Sequence, residues 1–135
     1  MLDLTTEFGA RVNKRLLEED IIWFTTVSSR GIPASNPVWF LWDGETIIVF
    51  SEPKSHRVRN IQNNPNVSLH LQGVDGLGNN VIIIKGQASL TFNNRIIPKA
   101  YWNKYAKFLE KMTPDEMIAA YNVEVRVNLL KVRGE

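Results

Sequence analysis

Apolar residues recur along this chain with two different periods, and the switches between them mark out the elements. From Leu4 to Glu18, Phe8, Val12 and Leu16 repeat at helical spacing, and Thr5 or Thr6 can cap the start, so a helix is predicted there. Ile21 to Ser28 is β-branched and aromatic and stops at the turn signal Ser29-Arg30-Gly31. Pro33 to Trp42 reads as one strand, with Val38, Phe40 and Trp42 on one face and Trp39 and Leu41 on the other. Asp43-Gly44 predicts a two-residue hairpin turn, from which Glu45 to Ser51 returns antiparallel.

Further on, Ser55 to Asn63 predicts a short helix with Val58 and Ile61 inward, stopped by Asn63-Asn64-Pro65. Val67, Leu69 and Leu71 alternate with Ser68 and His70, the pattern of a half-buried strand. A loop from Gly73 to Asn80 leads into a long strand, Val81 to Phe92. Its run Val81-Ile82-Ile83-Ile84 predicts burial on both faces, and Gly86 predicts a bulge or bend. Pro98 to Met112 is helical in pattern. Thr113-Pro114-Asp115-Glu116 opens another helix, with a cap, a proline at the first position and an acidic first turn. Val123 to Val132 closes the chain as a strand. Six strands in meander and hairpin order, with helices at both ends and one between the third and fourth, predict a mainly β fold: an antiparallel barrel with flanking helices.

Composition narrows the class. A chain of 135 residues makes one domain (1–135) and buries about two-thirds of its unfolded surface without cross-links. There are no cysteines, so no disulfide framework or thiolate metal site exists, and two histidines alone do not make a zinc site. Asp3 and Glu7 and the lack of a long apolar stretch argue against a signal peptide, and no run nears the roughly 20 residues of a membrane span. The cytoplasm is the expected location. Net charge is only +2, yet four cations fall between Lys54 and Arg59 if His56 is counted. A local patch of this kind fits a small anion better than a nucleic acid.

That patch is the strongest candidate site. The apolar strand Ile47 to Phe50 runs through Ser51 into a polar turn, and Ser55 is a good N-cap for the helix that follows. Free amides at the helix start, the Ser55 hydroxyl, Lys54 and Arg57 would converge on one phosphate, with His56 as a hydrogen-bonding neighbour. A solvated helix face is the plain alternative, and Arg59, two positions on from Arg57, faces elsewhere. Thr25, Thr26, Ser35, Asn36 and Ser51 can reach a cofactor ring or ribityl chain, or serve simply as strand formers. Trp23, Trp39, Trp42 and Trp102 suit a core or a dimer interface, or a ring stacked beside a cofactor. No nucleophile–base pair, carboxylate dyad or metal cluster emerges. No catalytic side chain or metal ligand is therefore assigned, and an enzyme of this sequence would rely on a cofactor.

The order LTTEFGARV, PVWFLWDG, KSHRVRNIQNNPNVSLHL, VIIIKGQASL and TPDEMIAAYNVEVRVNLLKVRG resembles the pyridoxamine 5′-phosphate oxidase-like split-barrel proteins, and more closely their flavin- or deazaflavin-dependent oxidoreductases. The resemblance spans nearly the whole chain. It implies a six-stranded Greek-key split barrel and a homodimer with cofactor sites at the interface. It also implies FMN, or the deazaflavin F420, with its phosphate in the basic turn. Carried over, Ser55 and Arg57 match the phosphate seat and Lys54 adds charge. Pro37, Val38 and Trp39 match the strand along the ring, with Ser51 beside it. Many relatives have lysine where this chain has Arg57, and the two are not equivalent. The end, Arg126 to Arg133, lacks the arginine- and histidine-containing motif that grips pyridoxamine phosphate, so the implied activity is hydride transfer to or from another small organic substrate. Lys99, Lys104 and Lys107 would suit the polyglutamate tail of F420. Two rival classes remain: a non-catalytic flavin or haem carrier using His70 or His56, and an oligonucleotide-binding barrel.

Overall fold

The computed structural model describes residues 2–73, 76–109 and 112–134. Helix α1 (Glu7–Glu18) is followed by β1 (Ile22–Val27), β2 (Pro33–Val38), β3 (Leu41–Trp42) and β4 (Thr46–Ser51). Then come α2 (His56–Asn63), β5 (Asn66–Leu71) and β6 (Ile82–Thr91), then α3 (Lys99–Tyr105) with a 3-10 turn (Ala106–Phe108), α4 (Pro114–Ala120) and β7 (Val123–Gly134). All pairings are antiparallel, in the order β2-β1-β5-β6-β7-β4-β3. The two ends of that order, β2 and β3, are joined by only Trp39 and Phe40. Such a short link draws the sheet's edges together, and the sheet curls into a split barrel with flanking helices.

Among the described residues seven strands therefore stand where six are predicted, because the expected strand Pro33 to Trp42 is broken. β2 pairs with β1 and β3 with β4, on opposite edges of the sheet. Phe40 crosses between them and has no strand partner. Its amide instead donates to the Tyr105 hydroxyl (2.8 Å), and its carbonyl accepts from Lys104 Nζ (2.9 Å). Side chains of α3 thus satisfy the backbone groups that the break exposes. The predicted faces still hold, with Val38, Phe40 and Trp42 buried and Trp39 and Leu41 half-buried.

Other differences are local. The first helix begins at Glu7, capped by the Thr6 hydroxyl, and β1 is one residue shorter at each end than predicted. The hairpin turn sits one residue later than expected: Asp43 N–H bonds Thr46 O, leaving Gly44 (φ 96°) and Glu45 at the centre. The Asp43 carboxylate, accepting from Glu45 N, Thr46 N and the Thr46 hydroxyl, holds this turn. β6 starts at Ile82 and ends at Thr91, and β7 runs on to Gly134. The bulge forms at Gly86, where Lys85 pairs with Lys131 but Gly86 with Leu129, so Leu130 is the extra residue. The predicted helix Pro98 to Met112 is α3 plus the 3-10 turn, and positions 110 and 111 of it lie outside the described residues, as do 74 and 75 of the predicted loop.

The two-sided burial expected of Val81 to Ile84 is found elsewhere. Ile82 and Ile84 are buried, but Val81 and Ile83 are only half-buried. It is β4 whose six residues are all buried. Ile47 and Val49 join the barrel core with Phe24, Leu69, Ile84 and Val125, while Ile48 and Phe50 join a second cluster with Tyr101, Tyr105 and Met117. α3 and α4 therefore cover the outer face of β4. That second layer builds the site.

Candidate functional site

The Ser55 cap forms as expected: its Oγ accepts from Val58 N (3.2 Å) and starts α2. Among the described residues, the amides of His56 and Arg57 bond to nothing, which leaves two free donors at the start of the helix. On the inner side, Val58 and Ile61 enter the core, and Asn60 Nδ2 donates to the Thr26 hydroxyl (2.9 Å). Both Asn60 and Thr26 are buried, so this bond ties α2 to β1. The pattern of Val58 and Ile61 alone does not reveal Asn60.

Arg57 turns inward. Its Nη1 donates to the Ser51 hydroxyl (2.8 Å), and its guanidinium lies 5.5 Å from the centre of the Phe24 ring. Ser51 is 2 % exposed. Burial pushes the Arg57 pKa below its ordinary value, the mark of a charge stripped of water. Among the described residues no carboxylate pairs with it. A half-buried cation without a counter-ion is costly unless an anion arrives.

Arg57 also borders a cavity of about 390 Å³. Val38, Trp39, Val49 and Phe50 form its barrel wall; Tyr101, Phe108, Leu109, Met112, Met117 and Tyr121 form its helical wall. Trp39 stacks on Tyr105 (4.5 Å between centres, 9° between planes) and leans on Phe108 at 5.7 Å. Phe50 meets Tyr101 edge-on at 5.0 Å. Among the described residues, one cation beside an otherwise apolar, aromatic lining is the composition of a small-molecule site.

Of the sequence candidates, Ser51, Arg57, Val38 and Trp39 are brought together here. Ser55 is half-buried beside them in sequence, its oxygen occupied by the cap but its hydrogen free to donate. Lys54 and His56 are exposed at the helix start, and Arg59 is exposed as well. Pro37 is exposed, paired with Trp23 on β2, and does not line the cavity. Thr25 shares a hydrogen bond with Ser35 (2.5 Å), and Asn36 is exposed on the same strand edge. Trp23 stacks on His70 on the outer face of β1 and β5, and Trp42 Nε1 donates to Asn13, fastening α1. The lysines of α3 and the 3-10 turn after it do not form a patch: Lys107 pairs with Asp20 (3.1 Å), Lys104 is committed to Phe40, and Lys99 is exposed. The whole helical wall escapes sequence reasoning, although Tyr101 and Tyr105 stand four apart on one helix face.

The fold agrees with the comparisons. Residues 8–134 match the family model for pyridoxamine 5′-phosphate oxidase, and the chain belongs to that family. No curated protein matches it in sequence. Among solved structures, an F420 reductase superposes with a TM-score of 0.71 at 22% identity, over 90% of this chain and 96% of that one. A conserved hypothetical protein of Mycobacterium tuberculosis gives 0.76 at 20% identity, over 95% and 82%. The haem storage protein HutZ of Vibrio cholerae gives 0.63 at 15%, over 93% and 92%. At such identities these likenesses speak for the fold alone.

Proposed function

We propose that this member of the pyridoxamine 5′-phosphate oxidase family is a homodimeric oxidoreductase that binds FMN, or alternatively F420, and passes a hydride to or from a small organic substrate. The observation that carries this reading is Arg57: a desolvated cation without a counter-ion among the described residues, fixed on the Ser51 hydroxyl at the edge of an apolar cavity. A phosphate supplies the missing charge. The free amides of His56 and Arg57, the Ser55 hydroxyl and the Lys54 ammonium add donors on the same turn, so the residues present fit a phosphorylated cofactor.

When bound, the isoalloxazine or deazaflavin ring supplies the hydride chemistry. The chain's own part is to bind and to exclude water. Arg57 and the helix start neutralise the phosphate, Val38 and Trp39 offer a flat apolar edge, and the third and fourth helices keep the chamber dry. A haem carrier is less well supported, because neither His56 nor His70 lines the cavity.

The test is titration of purified protein with FMN and with F420, followed by absorbance and fluorescence. Lys54→Glu combined with Arg57→Glu should abolish uptake of both while the dimer persists in light scattering. Undiminished cofactor occupancy in that double variant would sink the proposal.

A further inference from the structure

Tyr101 stands out in the helical wall. It is 2 % exposed, yet among the described residues its hydroxyl has no protein partner, and Tyr121 beside it has none either. Tyr105, one turn along α3, is different: its hydroxyl is fully engaged with Phe40 and Asp20. No side-chain oxygen or nitrogen among the described residues is both sealed from solvent and unpaired. The Tyr101 hydroxyl therefore opens onto the cavity that its residue lines. A hydroxyl that faces only the water of a cavity is free to donate to a ligand acceptor placed there.

We infer that Tyr101, with Tyr121 beside it, selects the second molecule of this site: a compact, uncharged, largely apolar compound bearing a carbonyl oxygen that accepts the tyrosine hydrogen bond. This deepens the proposed function and rests on it only for the claim that the compound is a substrate. Burial drives the Tyr101 pKa well above its usual value, with Tyr105 and Tyr121 adding to the rise, so the hydroxyl stays protonated and acts as a donor. Among the described residues, Arg57 is the only charged one lining the cavity, and the other described lining residues are aliphatic, aromatic or methionine. A carboxylate placed against Tyr101 and Met117 would be stripped of water with no cation among the described residues beside them. The volume, about 390 Å³, lies near the lower end of the roughly 300–1,000 Å³ of small-molecule sites. A fused two-ring ketone suits it, and the methionines Met112 and Met117 can adapt to its outline.

Calorimetric titration of cofactor-free protein with 1-tetralone and with tetralin, the same skeleton without oxygen, tests this directly. The ketone should bind about tenfold more tightly, the ratio expected of one well-made hydrogen bond in a dry site. Tyr101→Phe keeps the ring and removes only the oxygen. It should erase that preference while leaving tetralin binding unchanged. Equal affinity of the wild type for both compounds, or a ketone preference that survives in both Tyr101→Phe and Tyr121→Phe, would overturn the inference. A ketone preference in a protein that takes up neither cofactor would instead defeat the proposed function and leave this cavity assignment standing.

Discussion

Replacing Arg57 with methionine separates a binding residue from a structural one. Methionine keeps a long, flexible apolar stem against Phe24 and removes only the charge and its donors. Three terms set the change in stability of the cofactor-free protein. Losing the charged hydrogen bond to Ser51 costs about 1.5–3 kcal/mol. Losing the cation–π contact costs a further ~0.5–1 kcal/mol. Against these stands relief from holding an uncompensated cation away from water, worth several kcal/mol in a partly dry site. The opposing terms nearly cancel, so Arg57→Met should alter unfolding free energy by less than about 1 kcal/mol.

Cofactor affinity should behave quite differently. A phosphate that loses a guanidinium partner in this setting forfeits about 2–3 kcal/mol, which is roughly 30- to 150-fold in Kd. Urea unfolding of the cofactor-free protein gives the first quantity, and titration with FMN or F420 gives the second. A loss of more than ~2 kcal/mol in unfolding with little change in cofactor affinity would refute the reasoning. Arg57 would then be a structural plug for the barrel end. The opposite pair of results shows a residue held at the expense of stability because binding needs it.

Two further outcomes follow from packing and charge. Gly86→Ala would place a Cβ 2.5 Å from Val127 Cγ1 and 2.7 Å from Asn128 O; the carbonyl belongs to the neighbouring strand, so destabilisation of about 1–3 kcal/mol is expected in urea denaturation. Burial lowers the Lys104 pKa to about 8, with Asp20 and Glu19 opposing the shift. The folded protein then binds fewer protons than the unfolded chain between pH 8 and about 10.4, and stability contributed at this position rises with pH across that window. Tm measured from pH 8 to 10 should climb more steeply in the wild type than in Lys104→Met, and parallel curves would disprove the shift.

What could be read from the sequence was local, and what could not was made by partners far along the chain. The Ser55 cap lies three residues from the amide it accepts, so the start of the basic helix was plain. The break at Trp39-Phe40 was invisible, because the groups that satisfy Phe40 come from Lys104 and Tyr105, 64 and 65 positions away. Alternation at Val38, Phe40 and Trp42 continues through the break and looks like one strand. A run of four apolar residues signals burial on both faces, but Ile47 to Phe50 and Val81 to Ile84 carry that signal equally. Only the docking of the third and fourth helices decides that β4 receives the second layer. The cavity is made by that same docking, so its tyrosines were legible as helix residues and not as a site. This division has a chemical consequence. The proposed phosphate seat, encoded within one turn of helix, needs few residues, whereas the wall holding Tyr101 and Tyr121 can be reshaped by changes in α3 and α4 without disturbing that turn. On the proposed function, substrate choice would then be free to vary on a seat that stays the same.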